Sequence, residues 1–171
     1  GSGNDWLDGG PGYDLMVGGL GNDTMVASQA SENIVEDPGG GWDWVIARGS
    51  GSFTLGANLE GLILEGATTG IGNTVSNIIV GSGRAETLLG RDGNDTLEGA
   101  GGNDILFGEA GRDVFRFAPG SGIDVVADFT PGQDRILLQG SDFADFNALM
   151  ASTRDGTGGA ILDLASGDAV Q

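Results

Sequence analysis

Residues 90–116 read GRDGNDTLE, GAGGNDILF and GEAGRDVFR, three copies of one nine-residue phrase. Each copy has glycine at its first and fourth places, aspartate at its sixth and a large apolar residue at its eighth. Residues 81–89 follow the same pattern, with Glu86 as the acid and Leu88 as the apolar residue. A fixed short period indicates a repeat architecture before any propensity argument is made.

The phrase also opens the chain. Asp5, Asp14 and Asp23 are spaced by nine residues, and a large apolar residue follows each of them two positions later. Residues 27–35 keep the register without the glycines, with Glu32 at the acid place and Ile34 at the apolar place. Because the pattern is already running at the first residues, we expect the chain to be part of a longer protein.

The spacing within the phrase predicts a loop followed by a short strand. Glycines at the first and fourth places allow positive φ in a tight loop. The seventh to ninth residues are then extended, with the eighth side chain on one face of the strand and its neighbours on the other. Two phrases make one coil of two strands and two loops, and coils stack at the strand spacing of about 4.8 Å. The sequence therefore predicts an all-β fold, a parallel β-roll (a β-solenoid) with the eighth-place residues as its core.

Stacked coils bring the sixth-place acids into columns along the edges of the roll. Carboxylates about 5 Å apart repel by roughly 1 kcal/mol per pair in water and by more when less solvated. The array therefore needs a cation between coils, and hard carboxylate and carbonyl oxygens suit Ca²⁺. The pattern predicts several bound calcium ions. A flexible acidic linker is the alternative, but it predicts neither the period nor the apolar residue after each acid.

The phrase resembles the glycine-rich nonapeptide of the RTX (hemolysin-type) calcium-binding proteins. Seven phrases in two registered blocks carry the resemblance. It implies type I secretion, with the secretion apparatus as a partner, and an extracellular or cell-surface location. Residues 118–171 are similar to the terminal cap of serralysin-type secreted proteins.

Composition excludes several classes of function. The formal net charge of −18 comes from 25 acids against 7 basic residues. This excludes nucleic acid as a natural partner, because a phosphate backbone requires a basic surface. The chain has no cysteine and no histidine, so disulfides, thiolate sites and the usual zinc ligand and general base are absent. No apolar run approaches the length of about 20 residues that a membrane span needs, so we expect no membrane span.

Residues 36–80 are predicted to be a degenerate, metal-poor part of the roll between the blocks at 1–35 and 81–117. Asp43 and Val45 restore the acid and apolar spacing two residues out of step, which predicts a calcium role for Asp43. Trp42 and Trp44 are predicted on one strand face, where packing over a bend is favoured over stacking with a glycan. Asn77 holds the acid place of residues 72–80 and supplies an oxygen without charge, so its metal site should be weak or absent.

Residues 118–171 are predicted to cap the roll with a β-hairpin and a short helix. Strands are expected on both sides of a Pro131–Gly132 turn. Residues 141–150 have helical apolar spacing after an N-cap serine, and 160–164 with 169–170 are expected to form the final hairpin. Asp124, Asp128 and Asp134 are proposed to form one further calcium site.

Acids that share an ion should be 18 residues apart, because alternate phrases lie on opposite edges. The expected pairs are Asp5/Asp23, Asp14/Glu32, Asn77/Asp95, Glu86/Asp104 and Asp95/Asp113. Loop carbonyls preceding each acid should complete the sites. The glycines assigned this role are Gly3, Gly10, Gly12, Gly19, Gly21, Gly93, Gly102 and Gly111.

The predicted function is a calcium-binding module that folds on Ca²⁺ binding after secretion and stabilises a larger secreted protein. We find neither a metalloprotease HExxH nor a Gly-Xaa-Ser-Xaa-Gly motif, so we expect no catalytic site here. A protease, lipase or epimerase activity would belong to the rest of the protein. The alternatives are the terminal domain of a surface adhesin and a carbohydrate-binding module of a polysaccharide-modifying enzyme.

Overall fold

Each phrase folds as a tight loop followed by a short strand. The computed structural model describes residues 1–140 and, beyond them, the backbone of the strands at 153–156, 159–163 and 169–170. In the repeat blocks the strands occupy the seventh to ninth places, as at β1 (Trp6–Asp8) and β11 (Thr96–Glu98). The predicted order of loop and strand within the nonapeptide is therefore confirmed.

Successive strands alternate between two sheets. The first sheet holds the odd-numbered strands, all parallel and in chain order. These strands are β1, β3 (Thr24–Ala27), β5 (Trp44–Ala47), β7 (Gly61–Leu64), β9 (Ile78–Val80), β11, β13 (Val114–Phe117) and β15 (Arg135–Leu138).

The opposite face is built from the even-numbered strands. β2 (Leu15–Val17) and β4 (Asn33–Val35) form a separate parallel pair. The parallel strands that follow are β6 (Ser52–Thr54), β8 (Thr69–Ile71), β10 (Thr87–Leu89), β12 (Ile105–Phe107) and β14 (Ile123–Val126). With its alternating strands in two parallel arrays, the molecule is the predicted β-roll.

The core lies between the sheets and is made by the eighth-place residues. Leu97 pairs in register with Ile79 on one side and with Phe115 on the other, and all three are fully buried. Eighth-place residues of both sheets share one cluster, which includes Met16, Met25, Val45, Leu62, Ile79, Leu88, Leu97, Leu106 and Phe115. Burying each such side chain contributes about 1.5–3 kcal/mol, so the stack is held by its core as well as by its ladders.

The glycines of the loop serve two different purposes. At the fourth place the prediction of positive φ is confirmed, with φ of 127° at Gly93 and 137° at Gly102. At the first place it is wrong, because Gly90 and Gly99 do not have positive φ. A Cβ at either residue would instead collide with the carboxylate of the acid five residues later. The first-place glycine leaves room for the acid.

The parallel roll continues beyond residue 117. Strands β14 and β15 flank the Pro131–Gly132 turn as expected, but they belong to opposite sheets. β14 pairs in parallel with β12, and β15 pairs in parallel with β13. They are therefore a further coil of the roll. β18 (Ala169–Val170) then pairs with β14, and β17 (Gly159–Asp163) lies antiparallel to β18 and to β16 (Thr153–Gly156).

The final strands test only part of the expected cap. β17 and β18 have the antiparallel pairing that the expected hairpin requires. The loop between them and the helix expected at 141–150 lie outside the described residues. The described part of the chain contains no apolar helix of the length that a membrane crossing requires.

Candidate metal centres

The sixth-place residues stand directly before the strands and therefore stack into two columns, one for each sheet. The first column precedes the odd strands and consists of Asp5, Asp23, Asp43, Glu60, Asn77, Asp95, Asp113 and Asp134. The second column runs along the even strands: Asp14, Glu32, Glu86 and Asp104 each precede their strand, and Asp124, inside β14, lies in register with Asp104.

A repeated hydrogen bond links neighbours in a column. The backbone N–H of one acid donates to a carboxylate oxygen of the acid in the next coil, at 2.7 Å from Asp5 to Asp23 and 2.9 Å from Asp95 to Asp113. The same bond runs from Asn77 to Asp95 and from Glu86 to Asp104. Four of the five expected pairs are thus in contact.

The fifth pair, Asp14 and Glu32, is adjacent in register but lacks this bond. The Glu32 carboxylate accepts instead from the N–H groups of Ser28 and Gln29. The Gln29 amide also donates to the carbonyl of Gly12. This carbonyl, assigned to metal from the sequence, is engaged by a side chain here.

The first column continues through the segment where the nine-residue period is lost. The backbone N–H of Asp23 donates to the carboxylate of Asp43, 20 residues later, at 2.7 Å. The backbone N–H of Asp43 donates to the carboxylate of Glu60, 17 residues later, at 2.9 Å. Glu60 was not foreseen as a column member. The signal was present, because Glu60 precedes the core residue Leu62 by two positions, as every repeat acid precedes its apolar residue.

The second oxygen of most column aspartates is buried without a hydrogen-bond partner. This holds for the Oδ2 atoms of Asp14, Asp23, Asp43, Asp95, Asp104 and Asp113. An unsatisfied buried carboxylate oxygen is costly. Each of these atoms is therefore a donor oxygen available to a cation.

Asn77 provides an internal comparison at the same place in the coil. Its Oδ1 accepts from Asn73 N–H at 2.8 Å, and its amide nitrogen donates to the carbonyl of Leu59 at 2.9 Å. Where the column residue is an amide, protein groups satisfy both side-chain atoms. Where it is an aspartate, one oxygen remains for a metal. A weak or absent metal site at Asn77 stays a prediction.

Burial raises the pKa of several column carboxyls. It raises the pKa of Asp95 and of Asp104 to about 7, since desolvation outweighs the backbone hydrogen bonds that favour the charged form. Desolvation likewise raises the pKa of Asp43, Glu60 and Asp113. Ion pairs of the described arginines lie elsewhere: Arg48 pairs with Asp8 and Glu65, and Arg116 with Glu98. A bound cation would favour the charged form.

Other predicted site residues are placed differently. Both carboxylate oxygens of Glu86 accept hydrogen bonds from Ser82. Asp124 and Asp134 continue different columns, beside Asp104 and Asp113 respectively. Asp128 accepts from the N–H groups of Gly108 and Glu109. The single site proposed for Asp124, Asp128 and Asp134 is therefore not assembled.

The loop glycines stack closely between coils. A Cβ on Gly21 would meet the carbonyl of Gly3, and one on Gly111 would meet that of Gly93. Gly102 similarly lies between the carbonyl of Arg84 and Gly122. Gly10 and Gly19 donate their N–H groups to Asp8 and Glu36. Which carbonyls bind metal stays a prediction for all the glycines named above.

The tryptophan pair is split by the fold. Trp44 begins β5 and covers the Cα of Gly61, where an added Cβ would collide with its ring. Trp42 lies in the loop before the strand, and its backbone N–H donates to Asn22 Oδ1. The prediction that both residues share one strand face is therefore wrong, because only Trp44 is in the strand.

One cluster brings three acids together, and one of them was missed. Asp23, Glu36 and Asp43 are all buried, and each offers an oxygen within 4.8 Å of the others. Glu36 and Asp43 come from the segment predicted to be metal-poor. Glu36 occupies a first place, where the repeat has glycine, so the search for sixth-place acids passed over it.

Comparison with known families matches this geometry. Residues 1–29 and 80–115 match the family model of the RTX calcium-binding nonapeptide repeat, in four copies. The chain carries RTX repeats. RTX repeats bind Ca²⁺, and the unpartnered buried carboxylate oxygens of both matched segments fit that ion. No curated protein matches the chain. The chain is a calcium-binding β-roll module.

Proposed function

We propose that this RTX roll is the calcium-dependent folding and stabilising module of a larger secreted protein. The observation that carries the proposal is the row of buried, unpartnered aspartate oxygens, set against the fully satisfied amide at Asn77. Without metal, buried charge and loop entropy oppose the roll. Binding an ion offsets about two carboxylates and adds its binding free energy to folding.

Calcium affinity would make this folding compartment-dependent. Extracellular calcium modules typically bind at about 10⁻⁴ to 10⁻³ M. A roll of that affinity stays unfolded at cytosolic calcium and folds outside the cell. This behaviour suits export as an unfolded chain, and the resemblance to RTX proteins supports the type I apparatus as the partner. The catalytic or adhesive activity then belongs to other parts of the protein.

A calcium titration of EDTA-stripped protein tests the proposal. We expect a cooperative gain of far-UV β signal between sub-millimolar and millimolar Ca²⁺. Mg²⁺ is the control and should fail, because it demands near-ideal octahedral geometry and gives up its water reluctantly. A β spectrum that is complete in EDTA and unchanged by Ca²⁺ would contradict the proposal and leave a static roll.

A further inference from the structure

Glu36 stands where a repeat glycine would stand. It follows β4 directly, one coil after Gly18 follows β2. The residue is only 6% exposed, and its side chain turns toward Gly18. A carboxylate thus occupies the space that first-place glycines leave open.

Two oxygens converge on that space. A Cβ on Gly18 would collide with Oε2 of Glu36 and lie 2.5 Å from Oδ2 of Asp23. Neither oxygen has a hydrogen-bond partner, and Oδ2 of Asp43 is also buried and unpartnered. The other oxygen of Glu36 is held by the N–H of Gly19 at 2.6 Å and of Asp37 at 3.0 Å. Glu36 is therefore anchored through one oxygen and presents the other to the cluster.

Asp128 shows that an acid at this place does not suffice. It follows β14 and has the same relation to Gly108 that Glu36 has to Gly18. The two backbone N–H groups of Gly108 and Glu109 take one oxygen each, at 2.9 and 2.8 Å. Both oxygens of the shorter aspartate accept hydrogen bonds from the loop, whereas one oxygen of Glu36 stays available to a ligand.

We infer that Asp23, Glu36 and Asp43 form a three-carboxylate Ca²⁺ site that fills before the other sites of the roll. The repeat geometry supplies two carboxylates per coil junction, and Glu36 adds a third. The number of charged ligands sets the affinity of calcium sites. The oxygen that Glu36 offers lies within 4.8 Å of the oxygens of Asp23 and Asp43, so its charge acts on the same ion. The site should bind at least about tenfold more tightly than the two-acid sites of residues 81–117. This inference rests on the calcium-dependent folding proposed above.

The tryptophans make this site separately visible. The chain has three, Trp6, Trp42 and Trp44, all in its first 44 residues, while residues 81–117 contain none. Terbium emission sensitised by tryptophan therefore reports the sites within residues 1–44 and not those of residues 81–117. The variant is Glu36→Gln, which keeps an oxygen to accept the Gly19 and Asp37 N–H bonds. Asp37→Asn is the matched control, because Asp37 is adjacent, exposed and loses the same charge.

We expect Glu36→Gln to raise the midpoint of the tryptophan-sensitised terbium titration by at least about tenfold. Asp37→Asn should stay within about twofold of the unmodified chain. Equal midpoints for the two variants would overturn the inference. Calorimetry of the unmodified chain tests it without any variant, since one ion should bind in a resolved step before the rest. A single common midpoint for all ions would overturn it as well.

The two proposals fail separately. A chain that remains folded in EDTA yet shows the Glu36-dependent step contradicts calcium-driven folding and supports the site. A chain that folds with Ca²⁺ but shows no such step contradicts the site alone.

Discussion

Gly99 lies against the side chain of Asp104 in the loop that leads into β12. An added methyl group would collide with the carboxylate that presents an oxygen to the metal. We expect Gly99→Ala to destabilise the calcium-loaded roll by about 1–3 kcal/mol, the usual cost of overpacking, and to raise the calcium midpoint. Urea unfolding at saturating Ca²⁺, combined with a calcium titration, measures both effects.

Gly83→Ala is the matched control for this change. Gly83 also lies in a repeat loop, but nothing comes within 4 Å of a Cβ there, and its φ is not in the left-handed region. We expect an effect within about 0.5 kcal/mol. If the two alanines cost the same, contact with the acid is not what selects glycine at the first place.

Buried column acids also make the stability of the metal-free roll depend on pH. The pKa of Asp95 and of Asp104 rises from 3.8 to about 7 on folding without metal. A raised carboxyl pKa stabilises the fold fully below the unfolded value, and this contribution is lost as pH rises through the folded value. In EDTA we therefore expect the roll to be most stable near pH 4 and to lose stability up to about pH 7.

Calcium should reverse that trend, since the ion binds the deprotonated carboxylates. Its affinity should rise with pH over the same window. Circular dichroism in EDTA and in millimolar Ca²⁺, from pH 4 to 8, measures both signs. A metal-free roll that gains stability toward pH 7 would contradict the burial of these carboxyls.

At the scale of the strand, the roll depends on one inward side chain for each three-residue element. Leu97 is fully buried in β11, and the two residues beside it face outward. We expect Leu97→Ala to destabilise the calcium-loaded roll by about 2–5 kcal/mol through lost burial and a cavity. The outward change Thr96→Ala should cost less than about 1 kcal/mol. Denaturant unfolding at fixed Ca²⁺ separates them, and equal losses would contradict the inward direction of Leu97.

The strands of the repeat blocks could be predicted because their period determines which side chain points inward. The further coil made by β14 and β15 could not, because its acids are spaced by 20 and 21 residues from the preceding ones. Extra loop residues hide such a coil from a search by period. The hydrogen bond to the next acid still forms, because the loop absorbs the difference in length.

Glu36 was missed for a related physical reason. A period identifies residues that repeat, and Glu36 takes part through a place that is glycine in the repeats. Its role depends on the space above Gly18 and on the reach of its side chain. The spacing of the acids along the sequence reveals neither this space nor this reach. The column positions were thus predictable, while the departures from them required three-dimensional contacts.

At the scale of the whole molecule, net charge governs the balance between the metal-free and calcium-loaded chain. The formal net charge is −18. Monovalent salt screens exposed charges over about 10 Å at 0.1 M and about 3 Å at 1 M. We expect the calcium midpoint to rise severalfold when KCl is increased over this range, because the attraction that concentrates the ion weakens. A midpoint that falls with added salt would contradict this expectation. It would show that repulsion among the carboxylates, which salt also screens, outweighs their attraction for the ion.

The chloride salt of a bulky organic cation is the control for this experiment. It should give the same shift as KCl at equal ionic strength, since screening depends on ionic strength and not on the size of the cation. A larger shift with KCl would indicate that K⁺ competes with Ca²⁺ within the sites.

The parallel ladder in which each coil touches chiefly its neighbours also has a mechanical consequence. Repeat architectures of this kind transmit stability between nearest neighbours. When the two ends are pulled apart, the roll should yield one coil at a time. Each repeat coil of 18 residues would release a contour length of about 60 Å. Bound calcium would set the force of each rupture, so the roll would extend in steps whose force depends on the calcium concentration.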